Sequence, residues 1–114
     1  MEEEIKSIQE YSETALPKGD PNGIAEDLSV ANVYLARAGS LEAWAEEELA
    51  RKRGNAADKL PDDGSATRMR IFIEMDAAHE IGTAKRAHNL KTTLTARIDS
   101  LRSLLSWEKE QAKL

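Results

Sequence analysis

Cysteine is absent from this 114-residue chain. That excludes a disulfide framework, a thiolate metal site and a cysteine nucleophile, and it is the usage expected in a reducing cytosol. Long apolar runs are also missing: no stretch approaches the roughly 20 residues that a membrane-spanning helix needs. The first residues, Met1-Glu2-Glu3-Glu4, are acidic, the opposite of the basic start of a signal peptide. The expectation is a soluble protein of the cytoplasm that does not engage a membrane. Aromatic residues number five: Tyr11, Tyr34, Trp44, Phe72 and Trp107. So few large rings, among many alanines and leucines and 32% charged residues, cannot fill a thick globular core. Such a composition is usual for long helices with charged faces. Proline is scarce as well, with three residues at positions 17, 21 and 61. No Gly-rich phosphate loop, zinc spacing, nucleophile elbow or dinucleotide fingerprint occurs, so neither an enzyme nor a cofactor is expected.

What is present is helical periodicity. Ile24, Leu28, Ala31, Leu35, Ala38, Leu41, Ala45, Leu49, Lys52, Ala56 and Leu60 make ten steps over 36 residues, a mean of 3.6, and Lys52 alone breaks the apolar rule. Met69, Ile73, Ala77, Ile81, Ala84, Ala87, Leu90, Leu94, Ile98, Leu101 and Leu105 repeat the same spacing. That is the α-helical period. A shorter amphipathic stretch precedes them, with Glu2, Glu3 and Glu4 suited to the positive end of a helix dipole.

The breakers divide the chain into an N-terminal helical arm (1–16), a linker (17–23) with two prolines and two glycines, and a helical hairpin (24–114) with its turn near 61–65. Gly54-Asn55 predicts a stop for the second helix near Arg53, with 55–60 as a further turn, and Ser65 is a candidate N-cap for the third. One helix of about 45 residues, roughly 65 Å long, follows, with Gly82 and Thr92-Thr93-Leu94-Thr95 as its weakest points. A short turn makes the two long helices antiparallel, and facing residue numbers then sum to about 126. Gly39 would lie opposite Ala87 and Ala43 opposite Thr83, a waist of small residues. The fold class is all-α: a long, coiled-coil-like antiparallel hairpin with a short N-terminal helix. A rod this thin leaves apolar surface uncovered, so it is expected to form a helical bundle by self-association, most simply as a dimer.

Charge is unevenly spread. Residues 1–65 hold 15 of the 21 acids and 7 of the 16 bases, whereas residues 66–114 hold 6 acids and 9 bases. The second half should therefore lie against the first or against an acidic partner. Four groups of residues are candidates for function. Tyr34, Trp44, Leu104, Leu105 and Trp107 supply large apolar surface for a protein interface, since tryptophan and tyrosine favour interface hot spots. Arg51, Lys52, Arg53, Arg68 and Arg70 gather at the hairpin tip and could contact phosphates. Lys85, Arg86 and Lys91 make a second, weaker basic cluster. Asp76 and His79 share one helical face at the carboxylate-x-x-histidine spacing of di-iron bundles, with Glu46, Glu47 and Glu48 across the seam. His88, near the seam, suits a partner-bonded or pH-sensitive contact.

Ala31-Asn32-Val33-Tyr34-Leu35-Ala36-Arg37-Ala38-Gly39-Ser40-Leu41-Glu42, followed by a charged helix, and the closing Arg97-Ile98-Asp99-Ser100-Leu101-Arg102-Ser103-Leu104-Leu105-Ser106 carry a likeness of pattern over roughly residues 27–110. In these the chain resembles small helical-hairpin proteins of bacteriophages and prophages, which are often encoded beside recombination and replication genes. The resemblance implies an accessory role in phage DNA metabolism and assigns no functional residue. The acidic first half departs from what direct DNA binding wants and points to a phage or host protein partner. The leading expectation is a non-enzymatic helical interaction and assembly protein. The alternatives are a DNA-binding accessory working through the basic tip, a carboxylate–histidine metal protein, and a phage inhibitor of a host protein.

Overall fold

The computed structural model describes residues 1–17, 19–58 and 66–112. They form four helices: α1 (Glu2–Ser12), α2 (Pro21–Asp58), α3 (Ala66–Asp76) and α4 (Ala78–Ala112). The expected turn at 61–65, with Leu60 and the Ser65 cap, lies outside the described residues.

α2 starts earlier than the breaker pattern suggests. Asp20 caps it, accepting the Asn22 amide on Oδ1 at 3.1 Å, and its carbonyl accepts the Ile24 amide at 3.0 Å. Pro21 stands at the first helical position, where its missing N–H is no loss. α2 then runs through Gly54-Asn55 instead of stopping near Arg53. Gly54 keeps a negative φ, and Gly19 holds the left-handed conformation, at φ +73°. Tertiary packing explains the continuation: Ala56, past the expected stop, is fully buried.

The return arm is broken once, at Ala77 and not at Gly82. Ala77 N donates to Ile73 O and Ile81 N donates to Ala77 O, at 3.0 and 2.9 Å, so the ladder continues past the irregular residue. The threonines called weak points stay helical, with Thr92 and Thr95 hydroxyls bonding the His88 and Lys91 carbonyls.

α2 and the return arm of α3 and α4 lie antiparallel in the expected register. Asp27 meets Arg97, Glu42 meets His88, and Arg53 meets Glu74. Along the α2 stripe every described residue is buried or half-buried, Lys52 included; along the other stripe Met69 alone is exposed. α1 lies in the groove between them, antiparallel to α2 and parallel to α4, so that Ile5 and Ile8 join Ala38, Leu41, Ala87, Leu90 and Leu94 in one core cluster. A second cluster, Ile24, Ala31, Ile98 and Leu101, continues toward the open end, with Leu104 and Leu105 packed on it. The molecule measures 75 × 23 × 17 Å, with a radius of gyration of 20.2 Å. A compact domain of this length would have about 13–14 Å.

Neither glycine of the small-residue waist is required by a close contact. A Cβ added at Gly39 or at Gly82 would meet nothing within 4 Å. Both glycines occupy roomy helical positions that alanine would fill without strain.

Candidate interaction surface

Burial divides the rod into a waist and a tip. At the waist, α1 completes a three-helix section. Its polar centre is Arg97, on the core-facing stripe of α4, 7% exposed. Nη2 donates to Asp27 Oδ2 at 2.7 Å, Nη1 to the Thr14 carbonyl at 2.7 Å, and Nε to the Tyr11 hydroxyl at 3.3 Å. The Tyr11 hydroxyl donates in turn to Asp27 Oδ1 at 2.6 Å, and the Arg97 guanidinium sits 4.6 Å from the Tyr11 ring centre. One cation thus ties together α1, the segment after it, α2 and α4. Burial, then the hydrogen bond to the Asp27 carboxylate, pushes the Tyr11 hydroxyl up to about 12. Burial works against the charge of Arg97, but its bonds to Asp27 and Tyr11 prevail and raise its pKa. Every member of the node has a partner, as a buried polar network requires.

Tyr34, expected at an external interface, instead stacks on Tyr11, with ring centres 4.7 Å apart, and is half-buried. Leu104 and Leu105 likewise pack within the chain, on the second core cluster. The two tryptophans do stay outside: Trp44 is 50% and Trp107 56% exposed. Trp107 borders an open groove with Leu16, Ser103 and Leu104. Trp44 borders another with Met1, Glu48, His79, Glu80 and Thr83, and there Glu80 Oε2 is buried without a partner.

The basic tip is partly spent. Arg53 grips Glu74 of α3 with two hydrogen bonds of 2.9 and 3.0 Å, and Arg51 pairs with Glu48 at 2.8 Å. Lys52 is half-buried on the α2 stripe, while Arg68 and Arg70 are exposed on α3. In the second cluster, Arg86 lies 3.6 Å from Glu2 and Lys91 3.7 Å from Glu42. His88 is at the surface, its Nδ1 3.1 Å from Glu42 Oε2. Asp76 is exposed, and His79 faces Glu2 of α1 at 3.4 Å. Among the described residues no three histidine, cysteine, aspartate or glutamate side chains come together to hold a metal ion.

The surface missing from the sequence candidates is the apolar part of α3. The eleven residues of this helix include Met69, Ile71, Phe72, Ile73 and Met75, yet none is buried. Met69 is 36% exposed, Phe72 44%, Ile71 54% and Met75 73%. α3 touches α2 through the Arg53–Glu74 clasp, and α1 makes no contact with it. Phe72 and Met75 stand off the apolar stripe, which was the signal available in the sequence. For the node, the signal was spacing: Leu90, Leu94, Arg97 and Leu101 recur at helical intervals, so Arg97 occupies a core position.

Four helices thus make a thin rod that is well filled at its waist and apolar outside at its tip. Among the described residues, no helix is long and apolar enough to cross a membrane. No protein-family model, curated protein or solved structure matches the chain.

Proposed function

We propose that this chain is a non-enzymatic helical assembly protein: it associates with itself through apolar surface left open on the hairpin, and in that state engages another protein. The observation that carries the reading is α3, a helix with five large apolar residues and none buried. A single hydrophobic residue at a surface is ordinary, but a contiguous set on one helix marks a binding surface. Elongation adds to this, because in a rod 23 by 17 Å across the core is confined to the helix seams, and α1 makes no contact with α3. Direct nucleic-acid binding is less well supported, since Arg51 and Arg53 already hold carboxylates within the chain. The setting we propose, phage DNA recombination or replication, rests on the pattern of residues 27–110 alone. Recombination or replication genes beside this one would support it, and an unrelated neighbourhood would remove its basis.

Sedimentation equilibrium tests the assembly reading. The expected result is a reversible dimer across the micromolar range. A strict monomer at high micromolar concentration would overturn it.

A further inference from the structure

Beside the start of α4, residues of α1, α2 and α4 line a half-open cavity of about 440 Å³. That lies within the usual range of small-ligand sites, roughly 300–1,000 Å³. Ala45 and Thr83 are its most deeply buried lining residues, at 2% and 7% exposed. Trp44 borders it with a ring that is half exposed, and Glu2, Glu48 and Glu80 bring carboxylates to it.

Most of the polar lining is already engaged. Glu48 holds Arg51 at 2.8 Å, and Glu2 lies 3.4 Å from His79 Nε2 and 3.6 Å from Arg86. The Thr83 hydroxyl donates to the His79 carbonyl at 3.1 Å. Glu80 differs: its Oε2 is buried and has no hydrogen-bond partner among the described residues. Buried acceptors without a donor are costly and rare, so this one needs an explanation. The dipole of α4 favours an acid in its first turn, where Glu80 stands. That accounts for the residue type and leaves the buried oxygen without a donor.

We infer that this cavity binds a primary alkylammonium ion, its N–H donating to Glu80 Oε2 and its alkyl chain lying on the Trp44 ring. The inference stands apart from self-association at α3. A carboxylate oxygen only accepts, so the ligand must carry a donor, and a charged donor makes the stronger bond. The face of a tryptophan ring attracts cations. A quaternary ammonium could use the ring but has no N–H for the oxygen. A guanidinium fork is matched to two oxygens of one carboxylate, whereas Glu80 offers a single buried, unpartnered one. The same headgroup is carried by a lysine side chain of a partner protein and by a free polyamine.

Titration of the isotope-labelled full chain at constant ionic strength tests the site, read from the amide shifts of Ala45, Glu80 and Thr83. n-Butylammonium is expected to bind saturably in the millimolar range. Tetramethylammonium should bind about tenfold more weakly or worse. Glu80→Gln should weaken n-butylammonium about tenfold or more while the protein stays folded. Trp44→Leu should weaken it about two- to fivefold. Glu108→Gln, near the far end of α4, should change nothing. Putrescine binding about tenfold tighter than n-butylammonium would identify a polyamine, its second ammonium drawn by the neighbouring carboxylates, and no gain would identify a partner's lysine. No saturable shift, an equal response to tetramethylammonium, or unchanged affinity in Glu80→Gln would overturn the site.

Discussion

The waist and the tip are built from the same two antiparallel arms, yet they differ in what the third helix does. At the waist, α1 fills the groove, so Ile5, Ile8 and Leu94 are sealed and Arg97 can be buried because four groups receive it. At the tip, among the described residues, α1 makes no contact with α3. Two helices have only one seam between them, and α3 is left with Phe72 and Met75 facing out. The waist is therefore where the chain should hold its stability, and the tip is where it should hold its binding.

The sharpest way to break that contrast is at the node. Arg97→Ala leaves Asp27 and Tyr11 without their cation and should cost about 3–5 kcal/mol, the usual penalty for breaking a buried pair. Chemical denaturation checks this, and a loss near zero would mean the node is incidental. Leu94→Ala should cost about 2–5 kcal/mol, because Leu94 is fully enclosed.

A pH scan probes the node without changing its shape. Tyr11 titrates near 10 when unfolded and at about 12 when folded. Its pKa is raised on folding, so the stabilisation is complete below pH 10 and is lost as pH rises to 12. Wild-type stability should fall across that window more steeply than that of Tyr11→Phe. A parallel decline in both would remove Tyr11 as the cause.

Gly39→Ala turns the comparison to the backbone. With no atom near the new methyl group, it should stabilise the protein by about 0.5–1 kcal/mol, the helix preference for alanine over glycine. A loss would mean that α2 and α4 approach more closely at the waist than they do here. The smallest effect is expected at the tip. Arg53→Ala removes an exposed clasp, 43% open on each side chain, and should cost at most about 1 kcal/mol.

Much of this architecture could be read in the residues. The two 3.6-residue stripes place Ala31, Ala38, Ala87 and Leu94 in the core, where all four are buried. The short turn set the register that joins Asp27 to Arg97. What could not be read depended on contacts distant in sequence. Gly54-Asn55 is locally a stop, but burial of Ala56 carries α2 past it. Tyr34 looks like an interface residue until Tyr11, supplied by another helix, stacks on it. Arg97 stands at a core interval between Leu94 and Leu101, but nothing local identifies Asp27 and the Thr14 carbonyl as its partners. For the surface, the tryptophans drew attention by residue type. Phe72 and Met75 were visible only as deviations from a stripe.

The division between waist and tip meets its most direct test in Phe72→Asp. Two quantities are needed on the same sample: association by sedimentation equilibrium, and monomer stability by denaturation at low protein concentration. The expected outcome is a monomer at concentrations where the wild type is dimeric, with a stability loss of no more than about 1–2 kcal/mol, since Phe72 is 44% exposed. A variant that still dimerises, or one that loses as much stability as Leu94→Ala, would contradict the account.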